Sequence, residues 1–308
     1  MSTSNLQKPV PEWQSDLLAR HDLGPDYLGS AREWFAPVVH AVAAHHNGAG
    51  RPVLVGVNGS QGSGKTTFAD YVCSALEHEC GLTSISLSLD DVYLPRAERQ
   101  RLAAEVHPLL ATRGVPGTHD IPLLLGTLRA LLDADTAPGT AIPRFDKATD
   151  DRVPHSEWLR VGTPPAVVLL EGWCLGASAQ SQAALREPTN ALERDEDPDG
   201  RWRGYVNDAL TKAFPSVYDL VDQWVMLQAP SFDCVLRWRQ EQERKLAQQR
   251  GGMSDQMMDE RELVRFVAHF ERLTRHCLES LPPRVDHLLV LDENRSVIEA
   301  RIGKGAAA

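Results

Sequence analysis

The sequence predicts a mostly parallel, three-layer α/β/α fold, and three observations carry that expectation. Apolar runs of strand length alternate along the chain with segments of helical periodicity, the pattern left by βαβ units. One run, Ala166-Val167-Val168-Leu169-Leu170, is continuously apolar, as suits a parallel strand buried on both faces. Another, Val53-Leu54-Val55-Gly56-Val57, leads into a glycine-rich turn and then into a helix-like segment, Thr67 to Cys80.

That turn is Gly59-Ser60-Gln61-Gly62-Ser63-Gly64-Lys65-Thr66. It matches G-x-x-x-x-G-K-[ST], the phosphate-cradling P-loop, in the strand-before, helix-after setting the motif requires. Glycines let the backbone wrap a phosphate closely, because they accept angles other residues avoid. The wrapped N–H groups and the helix N-terminus both favour negative charge. Lys65 would reach the β- and γ-phosphates, Thr66 would ligate Mg²⁺, and Gly59 to Gly64 with Thr67 complete the cradle. A Gly/Ser-rich surface turn is the plain alternative.

Composition narrows the class. The chain has 308 residues and a net charge of −10, with 42% apolar and 24% charged residues, an ordinary soluble globular balance. The acidic excess argues against a broad nucleic-acid surface, and no run approaches the length of a membrane span. The first residues lack the charged-then-apolar pattern of a signal peptide. Five scattered cysteines without metal spacing predict reduced, mostly buried thiols in a cytoplasmic protein. The expected organisation is an N-terminal extension over 1–49 with a helix packed on the core, a single domain over 50–302, and a disordered tail over 303–308. The oligomeric state stays open.

The elements follow in order. Residues 1 to about 27 are polar and expected to lie loosely on the surface. Trp34, Phe35, Val38, Val39, Val42 and Ala43 recur at helical spacing, and Asn47-Gly48 gives a stop signal. Thr83 to Leu89 alternates like a strand and ends in Asp90-Asp91-Val92-Tyr93, carboxylates where open α/β sheets bind ligands. Residues 96 to 106 form a polar helix. The loop Arg113-Gly114-Val115-Pro116-Gly117-Thr118-His119-Asp120 precedes a helix over 121–133 that Thr118 or Asp120 caps. A short extended segment runs over 141–147. The strand at 166–170 ends in Glu171-Gly172-Trp173, and Glu171 fits the role of holding Mg²⁺ or its water. The acidic run from Glu193 to Asp199 reads as a solvated excursion. A helix near 205–214, a strand at Gln223 to Gln228 and a helix from Ser231 to about Gln249 follow. This last helix is expected to act as a lid over about 231–258, with arginines that close on phosphate and a glycine-bearing tip at 250–255. Leu263 to Leu281 is a long amphipathic core helix, and Val285 to Leu291 is the last strand.

Together these motifs resemble the plant-type, P-loop D-glycerate 3-kinases and their microbial relatives, near the uridine kinases, phosphoribulokinases and pantothenate kinases. The resemblance rests on the P-loop, Leu89-Asp90-Asp91-Val92-Tyr93-Leu94, the 113–120 loop, Phe145-Asp146-Lys147 with Asp151-Arg152, Glu171-Gly172-Trp173, Trp238-Arg239-Gln240-Glu241-Gln242-Glu243 and Gly252-Met253-Ser254. It implies ATP with Mg²⁺ and a small-molecule acceptor, most specifically D-glycerate. Asp90 matches the base of related kinases, and Asp91 would help hold water on the metal. Lys65, Arg237 and Arg239 would neutralise the transferring phosphate. Arg113 would pair with the acceptor carboxylate, helped by His119, Lys147 and Arg152, with Tyr93 and Thr118 also at the acceptor. Thr66 and Glu171 would serve the metal. A pantothenate- or nucleoside-type acceptor, an ATP-binding switch or scaffold, and a protein that binds no nucleotide remain alternatives.

Overall fold

A computed structural model describes residues 10–133, 135–249 and 260–303. Its centre is a six-stranded sheet. In chain order the strands are β1 (Val53–Gly59), β2 (Ser84–Ser88), β3 (Val167–Gly172), β4 (Gln223–Gln228), β5 (His287–Leu291) and β6 (Val297–Ile302). They lie side by side as β6-β5-β4-β1-β3-β2. All neighbours run parallel except β5 and β6.

Side-chain alternation explains the layers. On β1, Val53, Val55 and Val57 face one core with Leu169, Val225 and Leu227, while Leu54 faces the other with Val168, Leu170 and Met226. Helices α1 (Glu12–His21), α2 (Ala36–Ala49) and α3 (Lys65–Cys80) cover the first face. Helices α4 (Arg96–Glu105), α5 (Ile121–Leu132) and α6 (Arg201–Lys212) belong to the second. Helices α7 (Phe232–Gln249) and α8 (Glu260–Ser280) flank the site described below, and α8 contributes to both cores. Every residue of β1 and β3 is buried, as expected of parallel strands with helices on both sides. This is the three-layer α/β/α arrangement the strand and helix pattern predicts.

Four local expectations are corrected. The described part of the N-terminal stretch, from residue 10, is not loose: α1 buries Leu17, Trp13 stacks on His78 at 5.8 Å, and His21 pairs with Asp70 at 2.8 Å. The chain does not end its strands at Leu291: Asp292 accepts hydrogen bonds from the N–H groups of Asn294 and Ser296, turning the backbone into antiparallel β6. This edge strand is half-exposed, so its apolar pattern is weak. The acidic run is solvated only in part: Asp195, Glu196 and Asp199 are exposed, but Glu193 and Asp197 are not. Asn190 caps a short helix, Ala191–Glu196, within which Glu193 is buried against Arg272 at 2.6 Å. Asp197, also buried, pairs with Arg203 at 2.9 Å and accepts from the N–H of Trp202. Finally, Gly303 is ordered, its N–H donating to the Asp286 carbonyl. The expected lid tip at 250–255 and the rest of the lid to 258 lie outside the described residues, as do 304–308.

All five cysteines are free thiols, three of them buried. Among the described residues no helix is long and apolar enough to cross a membrane.

The two kinds of ion pair differ in consequence. Removing one partner of a buried pair strands the other charge in a low-dielectric interior, whereas an exposed pair is screened. Glu193→Ala should therefore lower the urea unfolding free energy by about 3 kcal/mol. Asp195→Ala, which breaks the exposed Arg194–Asp195 pair, should leave the midpoint unchanged. Equal effects of the two changes would contradict this account.

Candidate active site

The site lies at the carboxyl ends of β1, β2 and β3. From Gly59 the chain turns through Ser60 to Gly64 and enters α3 at Lys65. Gly62 and Gly64 hold positive φ angles of 77° and 87°, in the left-handed region that favours glycine. Close packing adds a second requirement: a Cβ on Gly59 would lie 2.6 Å from Ser63 Oγ, and one on Gly62 2.8 Å from Trp238 Cβ. The cradle is lined with unsatisfied polarity. The hydroxyls of Ser60 and Ser63 and the Gln61 Oε1 are buried without hydrogen-bond partners among the described residues. Buried polar atoms are normally paired, so these orphans fit a loop built to meet a polar ligand.

Glu171 comes to the cradle because β3 pairs with β1 in a register that sets it opposite Val57. Thr66 Oγ1 donates to Glu171 Oε1 at 3.1 Å, and Lys65 Nζ stands 3.7 Å from Oε2. The Oε2 atom is itself buried without a hydrogen-bond partner among the described residues. The Thr66 hydroxyl and the two oxygens of the one Glu171 carboxylate form a hard-oxygen donor set, the chemistry that suits Mg²⁺.

Asp90 sits just past β2, in a short turn, Leu89–Val92, capped by the Ser88 hydroxyl. Its two oxygens are both engaged. Lys147 Nζ approaches Oδ2 at 2.6 Å, and the Tyr93 hydroxyl donates to Oδ1 at 2.6 Å. Burial pushes the Asp90 carboxyl upward, but Lys147, Lys65 and these hydrogen bonds outweigh it and hold the group well below the usual carboxylate range. Asp91 differs: burial raises it, and its carboxylate accepts the N–H of Phe145 at 3.2 Å. Asp91 thereby anchors the segment that presents Lys147 to its neighbour.

Between the P-loop and Asp90 lies a cavity of about 100 Å³. Lys65, Arg113, Lys147 and Arg239 supply its cations, Asp90 its carboxylate, and Gln61 its amide. Tyr93, Trp173, Phe266 and Phe270 supply its aromatic walls. The roof comes from α8. Phe270 meets Trp173 edge-on at 5.0 Å and fills the space a side chain on Gly114 would need. Gly114, at a φ of 130°, is thus glycine for two reasons. Arg113 bonds to Asp150 and lies 5.6 Å from the centre of the Phe145 ring, with Arg99 5.9 Å from the same ring. Arg99 is fully buried and donates to the carbonyls of Leu94, Ala111 and Asp150.

Several expected site residues stand elsewhere. Thr118 is buried and stitches its own loop, donating to the Val115 carbonyl and accepting from the Gly114 N–H. Asp120, not Thr118, caps α5. Arg152 bonds to Asp120 and the Tyr93 carbonyl, away from the cavity lining. Arg237 reaches Glu293 at 3.0 Å and Cys234, whereas Arg239 lines the cavity. The Thr67 hydroxyl contacts His21 at 3.3 Å. His119 lines a different cleft, and burial pushes its imidazole down to about 4, so it brings no positive charge at neutral pH. Sequence reasoning missed Arg99, Asp150, Phe266 and Phe270. The two phenylalanines, four apart on α8, read as core because they are core as well as roof.

Comparison with known proteins yields the following. No protein-family model matches the chain. It is 31% identical over 274 residues to an uncharacterized kinase of Schizosaccharomyces pombe, covering 80% of this chain and 90% of the relative. It is 29% identical over 265 residues to the chloroplastic D-glycerate 3-kinase of Arabidopsis thaliana, covering 81% of this chain but 54% of the relative. Among solved structures, a D-glycerate 3-kinase from Cryptococcus neoformans superposes with a TM-score of 0.69 at 25% identity, covering 87% of this chain and 98% of that one.

The buried imidazole gives a pH prediction. His119, with an ordinary value of 6.5, protonates in the unfolded chain below that pH but stays neutral in the fold until about 4. The unfolded state then binds more protons, so the His119 contribution to stability falls as pH drops from 6.5 toward 4 and levels off below. NMR titration should place the His119 midpoint near 4, and a midpoint near 6.5 would contradict its burial.

Proposed function

Because the chain belongs to the P-loop D-glycerate 3-kinase family, we propose that it transfers the γ-phosphoryl group of ATP to the 3-hydroxyl of D-glycerate. The observation that carries this reading is the acceptor cavity. At about 100 Å³ it is well below the roughly 300–1,000 Å³ of pockets for larger ligands. That size, with four cations on its walls, supports a three-carbon acid over a nucleoside or pantothenate.

The chemistry follows from placement and charge. The acceptor oxygen forms a bond to the γ-phosphorus, the bond from phosphorus to the ADP oxygen breaks, and the hydroxyl proton passes to Asp90. Phosphoryl transfer has a loose transition state with charge spread over the phosphate oxygens, so positioning and neutralisation matter more than a strong base. A carboxylate held ionised by Lys147 and Tyr93 suits that demand. Lys65 and Arg239 neutralise the migrating group. Arg113, beside the Phe145 ring and tied on one side to Asp150, offers its planar fork to the acceptor carboxylate. Thr66 and Glu171 would hold Mg²⁺, which supplies charge neutralisation on the phosphates when bound. No acceptor role is assigned to Thr118, His119 or Arg152, and Arg237 is left as a partner of Glu293.

Two substitutions test the assignment. With D-glycerate and Mg²⁺–ATP, Asp90→Asn should lower kcat by about 100-fold or more while ATP binding stays normal. A change of only a few fold would remove Asp90 as the base. Arg113→Ala should raise the KM for D-glycerate at least about tenfold without changing that for ATP. A rise confined to the ATP KM would refute the carboxylate contact.

A further inference from the structure

The segment that carries Lys147 is a short hairpin. Phe145 and Asp146 pair antiparallel with Arg152 and Asp151, which leaves Lys147, Ala148, Thr149 and Asp150 to reverse the chain. Asp146 stiffens that turn from within. Its carboxylate accepts the Ala148 N–H at 2.9 Å and the Thr149 hydroxyl at 3.0 Å. Both flanks are anchored as well. The Asp91 carboxylate accepts the Phe145 N–H at 3.2 Å, and the Asp151 carboxylate accepts the Arg96 N–H at 3.1 Å. The last turn residue, Asp150, has a φ of 56°, in the left-handed region that aspartate enters more readily than most side chains.

The two ends of this turn hold opposite ends of the proposed acceptor site. At one end Lys147 bonds to Asp90 at 2.6 Å. At the other, one oxygen of Asp150 bonds to Arg113 and the second takes Arg99 at 2.9 Å. Arg99 also donates to the Asp150 carbonyl at 2.8 Å. Being fully buried and tied to two further carbonyls, Arg99 holds Asp150 to the interior. Asp150 takes Nη1 of Arg113 and leaves the other N–H groups of its fork to the cavity that Arg113 lines. Asp150 does not itself line that cavity, so it acts through Arg113.

We propose that Asp150 is a positioning residue that selects acceptor length. Through the stiff 147–150 turn it holds Arg113 at one spacing from Asp90, and that spacing suits a three-carbon hydroxy acid. A carboxylate clamp and a base fixed to the same turn do not move apart to admit a longer acid. The inference rests on the D-glycerate reading above and adds to it the residue that sets the limit.

Two acids measure the spacing: D-glycerate, and 2,4-dihydroxybutyrate, which is glycerate lengthened by one methylene before its terminal hydroxyl. The unaltered chain should favour D-glycerate by about 100-fold in kcat/KM, within the discrimination one methylene gives. Asp150→Asn keeps the size and tolerates the left-handed backbone, but loses the charge that holds both arginines. It should raise the KM for D-glycerate about fivefold, leave that for ATP unchanged, and cut the length preference about tenfold. Asp150→Ala should raise the D-glycerate KM further, again without moving the ATP KM. Should Asp150→Ala fail to fold, the Asp150→Asn result decides alone. A merely structural loss would raise the two KM values together or leave the length preference intact, and either result would overturn the proposal. Failure of the unaltered chain to turn over D-glycerate while binding ATP would instead overturn the acceptor reading, and the proposal with it.

Discussion

The molecule depends on the burial of β1 between β3 and β4. With helices on both faces and parallel partners on both edges, its backbone is fully paired and its side chains fully enclosed. A strand held so firmly has one free end, and the chain must leave it at Gly59. The tight turn that follows spends that rigidity on a cradle of unpaired polar groups, which a mobile loop could not keep open. The same pairing fixes Glu171 opposite Val57, so the metal-type donors meet the cradle through sheet register alone.

On the proposed acceptor side, Asp90 shares its small cavity with Lys65, Arg113, Lys147 and Arg239, of which Lys65 also faces Glu171 and Arg113 also bonds to Asp150. Such a concentration of cations suits a site that would gather a carboxylate and a phosphoryl group together. Asp150 and Arg99 keep this arrangement from collapsing. Asp150 bonds to both arginines, and Arg99, sealed in the interior, ties three carbonyls to the same corner. Aromatic rings pack edge-on along its walls, Trp173 on Phe270 and Phe270 on Phe266.

Much of this was legible in the amino-acid sequence, and the failures share a cause. The P-loop, the strand ending at Asp90 and the buried strand ending at Glu171 declare themselves through local spacing, which survives into the fold unchanged. In the 113–120 loop the spacing showed a run of charged and polar side chains but not where each would point. Whether Arg113, Thr118 or His119 faces a given cavity is decided by what packs behind the loop, and α6 and α8 supply that from far along the chain. The acidic run at 193–199 misled for the same reason, since its partners Arg203 and Arg272 lie on those two helices. Arg99 reads as one charge on a polar helix, and only the tertiary structure shows it fully buried. Strand β6 escaped notice because an exposed edge needs no regular apolar pattern.

The most direct test is ADP release from Mg²⁺–ATP measured against D-glycerate, L-glycerate, pantothenate, uridine and no acceptor. A cavity of this size and charge predicts turnover with D-glycerate and little with the two larger acceptors. Turnover with uridine or pantothenate and none with glycerate would contradict the account, because the proposed reading rests on a cationic cavity of only about 100 Å³.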